Sequence, residues 1–368
     1  MQDPQPLPGP SEPFAFDANA ATLAFLRDGC ATYGDVWAIP PTGGADSATG
    51  GGGLPIWVLN DPEAIHHVLT KRQPDYAKGV GFERVKMLLG DGLIVSDGDH
   101  WKQRRRMLQP AFSRPNVGGM RGLVDECIAN RAHIWEEHAA SGELLDISDE
   151  ANRLGMRIIL RAIFGDDLRA LDERDGGNPF NLVVDTHERD LMFAMRFRQL
   201  WPIVREMVEM RRAQAPTGGP PRDFLGLYMA ARDRETQAEL YPPVWMFTRR
   251  ALKDDVIAGR PIPAGTQILL LPFLLHRHPR YWENPESFDP SRFTAAGVAP
   301  HRSAYIPFSS GPRRCAGDVF ALNTAVQEIS WGVSRYHLTA PSVESPALDP
   351  GVNLRPLQPI RLFVHHAP

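Results

Sequence analysis

Apolar residues recur at three- and four-residue spacing through Gly122–His138 and Asp149–Phe164, the mark of one-sided helices, and the stretch from about Pro62 to Met210 is mostly of this texture. A further helical pattern covers about Ala20–Thr32. Short strand-like runs follow at about Asp35–Ile39 and Pro55–Leu59. Pro41–Gly53 between them is rich in Gly, Ser, Thr and Ala, so the pair reads as one hairpin with a flexible excursion. Ala213–Pro221, with Pro216, Gly218, Gly219 and Pro220, is a loop. Beyond Tyr241 short apolar runs, prolines and turns dominate until a last helical pattern, about Ala316–His337, and a proline-punctuated tail. There is no internal repeat and no convincing domain boundary.

Composition narrows the function classes. The chain has 368 residues, 43% hydrophobic and 23% charged, ordinary for a globular protein. A formal net charge of −4 argues against a nucleic-acid binder. Cys30, Cys127 and Cys315 make an odd number without C-x-x-C spacing, which suits neither a disulfide framework nor a four-ligand zinc site and points to a reducing compartment. Met1-Gln2-Asp3-Pro4 opens no signal-peptide pattern. Ile268–Leu275, interrupted by Pro272, is too short to span a bilayer. The expectation is a cytoplasmic protein with no membrane span.

The chemistry-bearing stretch is Phe308-Ser309-Ser310-Gly311-Pro312-Arg313-Arg314-Cys315-Ala316-Gly317, just before the last helical pattern. Free amides at a helix N-terminus favour a thiolate, and backbone N–H groups aimed at sulfur tune a bound metal. An arginine two residues earlier suits a carboxylate. Thiolate and carboxylate-binding arginine together fit haem, which brings an iron and two propionates. The plain alternative is that Cys315 is a small buried hydrophobe, as lone cysteines commonly are.

The stretch resembles, position by position, the haem-binding loop of the cytochrome P450 family, with Phe308, Gly311, Arg313, Cys315 and Gly317 in the defining places. Other segments extend the resemblance. Tyr76-Ala77-Lys78-Gly79 and Leu89-Gly90-Asp91-Gly92-Leu93 look like the loop before the family's C helix, and Trp101 with Arg105 looks like its Trp-x-x-x-Arg element, one turn apart so that both can face one propionate. A basic amphipathic helix with a core tryptophan is the alternative there. Pro242–Arg250 resembles the segment after the K helix, where an arginine reaches a propionate; register favours Arg250, with Arg249 the alternative. His276-Arg277-His278-Pro279 and Pro285–Phe293 resemble the meander, which makes both histidines structural or exposed rather than metal ligands.

The resemblance implies a mainly α fold with a small β portion near the N-terminus and after Tyr241, in one domain over residues 1–368. It implies haem b as cofactor, Cys315 as the iron ligand, Phe308 beside the sulfur, and Trp101, Arg105, Arg250 and Arg313 toward the propionates. Two family hallmarks have no counterpart between Phe224 and Tyr241: the long I helix, and the Glu-x-x-Arg of the K helix, where Thr236 and Glu239 stand instead. An internal deletion near 234–240 is the reading. A helix of about 30 residues spans about 45 Å, which a short loop cannot replace. Its loss should uncover apolar surface and leave Arg292 exposed or unpaired.

Two functions follow. One is a monooxygenase inserting an oxygen atom from dioxygen into a lipophilic small molecule, with electrons ultimately from NAD(P)H through a ferredoxin or flavodoxin-like partner; Arg104, Arg106, Arg302 and Arg314 are candidates for docking it. Its substrate would meet the regions near Gly79–Leu88 and Asp185–Arg212. The other is a catalytically impaired or inactive haem-binding remnant. A cysteine-nucleophile hydrolase needs a base beside Cys315, and the loop has no histidine.

Overall fold

The computed structural model describes residues 6–17, 19–41, 53–89, 92–174, 177–185, 191–213, 223–225, 227, 245–293, 301, 303–342, 346–351 and 354–367, without the side chains of 84, 87–89, 191–192 and 194. The fold is mainly α with small sheets. Among the described residues no helix is long and apolar enough to cross a membrane. The chain groups into two compact units: Met1–Trp101 with Glu239–Cys315 and Leu348–Arg355, and Lys102–Ala238 with Ala316–Ala347 and Pro356–Pro368.

In the first unit, helix α1 (Ala20–Tyr33) begins where Asn19 Oδ1 accepts the Thr22 N–H at 2.9 Å. It stops at Gly34, whose φ of +90° a side chain would resist. Strands β1 (Val36–Ile39) and β2 (Ile56–Leu59) pair antiparallel as a hairpin. Then come β3 (Tyr76–Lys78), α2 (Gly98–Leu108), β4 (Phe247–Ala251) and β5 (Gln267–Leu270). These strands form a five-stranded sheet of order β1-β2-β5-β4-β3. β2 and β5 lie side by side in its interior, parallel and buried at every residue, which is why both read as near-continuous apolar runs. Their alternation feeds two cores. Leu59, Ile268 and Leu270 pack with Ile65, Leu69 and Tyr76 on one face. Val58 and Leu269 pack with Leu26, Trp37 and Trp245 on the other. Each such buried side chain contributes roughly 1.5–3 kcal/mol.

The second unit is built on helices. Ile147–Phe164 is capped by Asp146, whose Oδ1 accepts the Asp149 N–H at 3.0 Å, and is ended by Gly165 at φ +58°. Leu160, Phe164, Leu168, Leu171, Met207 and Leu225 form its core. A second cluster, Trp135, Leu145, Tyr336 and Val364, packs by a three-stranded sheet of Leu145–Asp146, Arg361–His366 and Tyr336–Thr339.

Two helical patterns come out differently. Gly122–His138 is divided between helices Arg121–Ala129 and Ala132–Ser141, the chain turning at Asn130-Arg131. The last helix is Asp318–Val333, shorter at both ends than Ala316–His337, because Tyr336–Thr339 leaves to pair with Phe363–His366. Nearly all of the Pro41–Gly53 excursion and of the Ala213–Pro221 loop, the join with Thr236 and Glu239, and Arg302 lie outside the described residues.

Candidate functional site

The site grows from the pairing of β3 with β4. The two run antiparallel with Lys78 opposite Arg249 and Ala77 opposite Arg250. Opposed residues share a face and successive residues alternate, so Lys78 and Arg249 lie on one side and Arg250 on the other. Arg249 is 6% exposed; Arg250 is exposed. The register therefore turns Arg249, and not the favoured Arg250, into the interior. Gly79 makes the close approach possible: a Cβ there would sit 2.8 Å from both the N and the O of Arg249. The turn is fixed by Gln267 Oε1, which accepts the Val80 N–H at 3.0 Å, and by Thr248 Oγ1, which donates to Val80 O at 2.9 Å.

The start of α2 supplies the next residues. Asp97 O accepts the Trp101 N–H at 3.3 Å. The Asp97 carboxylate accepts the Lys78 backbone N–H on Oδ2 at 3.1 Å and is ion-paired through Oδ1 to Arg313 Nη2 at 2.5 Å. Arg313 Nη1 donates to Ser96 O at 3.1 Å, and the guanidinium lies 4.2 Å from the centre of the buried Trp101 ring. Trp101 and Arg313, far apart in sequence, are thus in contact. Arg105 stands one turn further along α2, half-buried, in the second unit.

The cysteine loop is held by its backbone. Ser309 and Gly311 adopt φ of +61° and +68°, and a Cβ on Gly311 would lie 2.1 Å from Leu69 O. Thr70 and Ser310 hydroxyls meet at 3.3 Å. The Cys315 N–H donates to Phe308 O at 2.9 Å, closing the loop on itself. Upstream, the Ile306 N–H donates to His276 Nε2 at 2.9 Å. Cys315 and Phe308 are half-buried. The helix opens at Asp318, with Gly317 at its N-cap position, so Cys315 precedes its first turn by three residues instead of heading it. Burial pushes the thiols of Cys30 and Cys127 up to about 11, which keeps both protonated.

The remaining residues read earlier have structural partners. Burial pushes His276 down to about 4, so it is a neutral acceptor for the loop. His278 is buried with Nε2 2.7 Å from Asp35 Oδ1. Arg292 is neither unpaired nor fully exposed: Nη2 donates to Asn284 O at 2.8 Å and to Ser287 O at 3.3 Å, and Nε is 3.7 Å from Asp289.

The charges around Arg313 do not balance. Lys78, Arg249 and Arg313 are three cations, and Asp97 is the one carboxylate ion-paired within the group among the described residues. Burial, and then the Arg313 charge, push Lys78 down to about 7. The same two causes push Arg249 down to about 10. Burial also lowers Arg313 against the opposing pull of Asp97. Arg313 Nε is buried without an acceptor among the described residues, and the described bond of the Arg249 guanidinium runs only to the neighbouring Thr248 O, at 2.8 Å. A buried cation short of a counter-charge is costly, so the cluster is one that a ligand with two carboxylates would complete. A half-buried thiol on a seated loop and a socket short of two negative charges fit haem. Lys78 was missed as a site residue because strand pairing brings it in, and Asp97 because its partners, the Lys78 N–H and Arg313, are distant in sequence.

Comparison with known proteins identifies the family. The family model described as Cytochrome P450 matches residues 49–240 and 234–362. The chain is 25% identical to cyclooctat-9-en-7-ol 5-monooxygenase of Streptomyces melanosporofaciens, over 75% of this chain and 79% of that protein. It is 22% identical to cyclooctatin synthase of the same organism, over 83% of each. Among solved structures, the cytochrome P450DA heme domain superposes with a TM-score of 0.77 at 22% identity, covering 94% of this chain and 92% of that one.

Proposed function

Since the chain belongs to the cytochrome P450 family, a family of haem-iron enzymes, we propose that it is a haem-thiolate monooxygenase acting on a lipophilic small molecule. The observation that carries the reading is Cys315 on a backbone-locked loop two residues from Arg313, itself part of a buried cation cluster lacking two negative charges. In this reading Cys315 is the iron ligand and Phe308 shields its sulfur. Arg313, Trp101 and Arg249, the last in place of Arg250, seat the carboxylates. Arg105 and Gly317 keep the places that the motif gives them. Bound there, haem supplies iron-centred activation of dioxygen, favoured by an electron-rich sulfur ligand. The protein's own part is to keep the thiolate aimed, to neutralise the carboxylates and to exclude water from both.

Support for a lipophilic substrate is the relatives' names, one of which specifies oxidation of cyclooctat-9-en-7-ol. Electrons are proposed to come from NAD(P)H through a ferredoxin or flavodoxin-like protein, since no flavin or iron–sulfur motif accompanies the haem loop; exposed Arg314 is a candidate contact. Cytoplasmic residence is supported by the three cysteines, which are free. A single haem domain over 1–368 is supported by family matches that run through both units.

A second reading, an impaired haem-binding remnant, has its own support. The family model matches in two segments that meet at 234–240, where the I helix and Glu-x-x-Arg have no counterpart in the sequence. Incubation with haem, an electron-delivering partner, a lipophilic cyclic alcohol and isotopically labelled dioxygen separates the two. One labelled atom in the product supports the monooxygenase. Haem uptake with thiolate ligation and no labelled product supports the remnant. No haem uptake contradicts both.

A further inference from the structure

The three-stranded sheet of the second unit sets two histidines opposite each other. We propose that His337 and His365 form a two-imidazole site for a divalent ion of the nickel, copper and zinc class, which ties the strand Arg361–His366 to Tyr336–Thr339. The site stands apart from the cysteine loop and does not rest on the haem reading.

The register makes the case. The two strands run antiparallel with His365 directly opposite His337. Opposed side chains share a face, with Cβ atoms about 4.5–5.5 Å apart. The packing is done by the other face: Tyr336, Leu338 and Val364 lie against Trp135 and Leu145. Both histidines are on the outer face and exposed, so the core asks for an imidazole at neither position. Their ring centres are 6.3 Å apart, with the planes inclined by 33°. His365 Nε2 lies 2.9 Å from Thr339 Oγ1, which engages one nitrogen of that ring and leaves Nδ1. His366 alternates to the opposite face, where its Nε2 is 3.7 Å from Glu136; it is not part of the pair.

Ligand chemistry selects the ion. Imidazole suits zinc, copper and nickel, whereas magnesium and calcium take oxygen ligands. Bonds of about 2.0–2.1 Å from one nitrogen of each ring draw the ring centres in from 6.3 Å, a change that side-chain rotation supplies with the strands unmoved. No group of three metal-ligating side chains occurs among the described residues, so water fills the remaining positions and the ion stays exchangeable. Strand pairing brings the two histidines together, so the chelate belongs to the folded chain and its ion stabilises that state.

The experiment titrates the full chain, first stripped of metal by a chelator, with Ni2+ and with Mg2+, followed by calorimetry and by melting temperature. His337→Gln, His365→Gln and the double variant run in parallel, with His133→Gln as the reference at another exposed position. Wild type should take up one tight equivalent of Ni2+ and melt higher with it, and should do neither with Mg2+. Changes behind a metal ligand alone cost about 10–100-fold in affinity, so each single variant should lose at least about tenfold at that equivalent. The double variant should lose little more than either single one, because two ligands acting as one chelate are not additive. His133→Gln should behave as wild type. The melting temperature of each variant without metal reads its folding, and His337→Asn and His365→Asn stand in for any Gln variant that does not fold. No tight Ni2+ equivalent in wild type, its survival in either single variant, its loss in His133→Gln, or an equal response to Mg2+ overturns the site.

Discussion

Lys78, Arg249 and Arg313 lie within electrostatic reach of one another with Asp97 as their one ion-paired carboxylate among the described residues, and single side chains there have separable effects. Arg249→Ala should weaken haem binding by roughly tenfold to a hundredfold, since hydrogen bonds to charged groups contribute about 1.5–3 kcal/mol. Arg250→Ala, on the exposed face, should change it by no more than about twofold; haem titration of the two variants checks the assignment. Lys78→Met should raise the melting temperature of the haem-free chain. Replacing a half-buried cation that faces two guanidinium groups by an apolar side chain of similar size removes a like-charge repulsion. A melting temperature that falls would contradict the charge account. The Phe308–Gly317 motif was legible because its residues are contiguous and each has a place in a local loop. The choice between Arg249 and Arg250 was not, because both are arginines in one strand and only the register with Tyr76–Lys78 says which faces inward.

Among the elements, the cysteine loop has a tightly constrained backbone. Gly311 combines φ of +68° with a Cβ position 2.1 Å from Leu69 O, a contact with backbone that cannot swing aside. Gly311→Ala should cost at least about 1–3 kcal/mol of stability and lower the haem content of the purified protein, measured by thermal melt and haem-to-protein ratio. His276 holds the approach to this loop as a neutral acceptor, with its value lowered from 6.5 to about 4 by burial. A lowered histidine value means stability fully present above about 6.5 and lost as pH falls toward 4. Roughly 3 kcal/mol is at stake over that window. Denaturant melts should show it, and His276→Gln should flatten the dependence. Helix α1 was legible from its own signals, Asn19 before it and Gly34 after it. The end of the last helix was not, since Tyr336–Thr339 leaves the helical pattern for a strand whose partner, Phe363–His366, lies far along the chain.

For the whole molecule, the last helix presents a face that any account of the chain must address. Leu322, Val326, Ile329 and Val333 are spaced by four, three and four residues and are 52%, 62%, 64% and 66% exposed. That is the spacing of a helix seam, and apolar surface of this kind promotes association. Val326→Lys with Ile329→Lys should lower light scattering at high protein concentration without altering haem affinity; unchanged scattering would show that the stripe does not drive association. Haem, binding the folded chain alone, should raise the melting temperature in proportion to the logarithm of its excess over the dissociation constant. The most direct test of the central claim is the absorbance spectrum of the haem-loaded chain, reduced and exposed to carbon monoxide. Cys315 as iron ligand predicts the strongly red-shifted Soret band of a thiolate–haem carbonyl, lost in Cys315→Ser. A band at the position given by a histidine-ligated haem, or a red-shifted band that persists in Cys315→Ser, would contradict it.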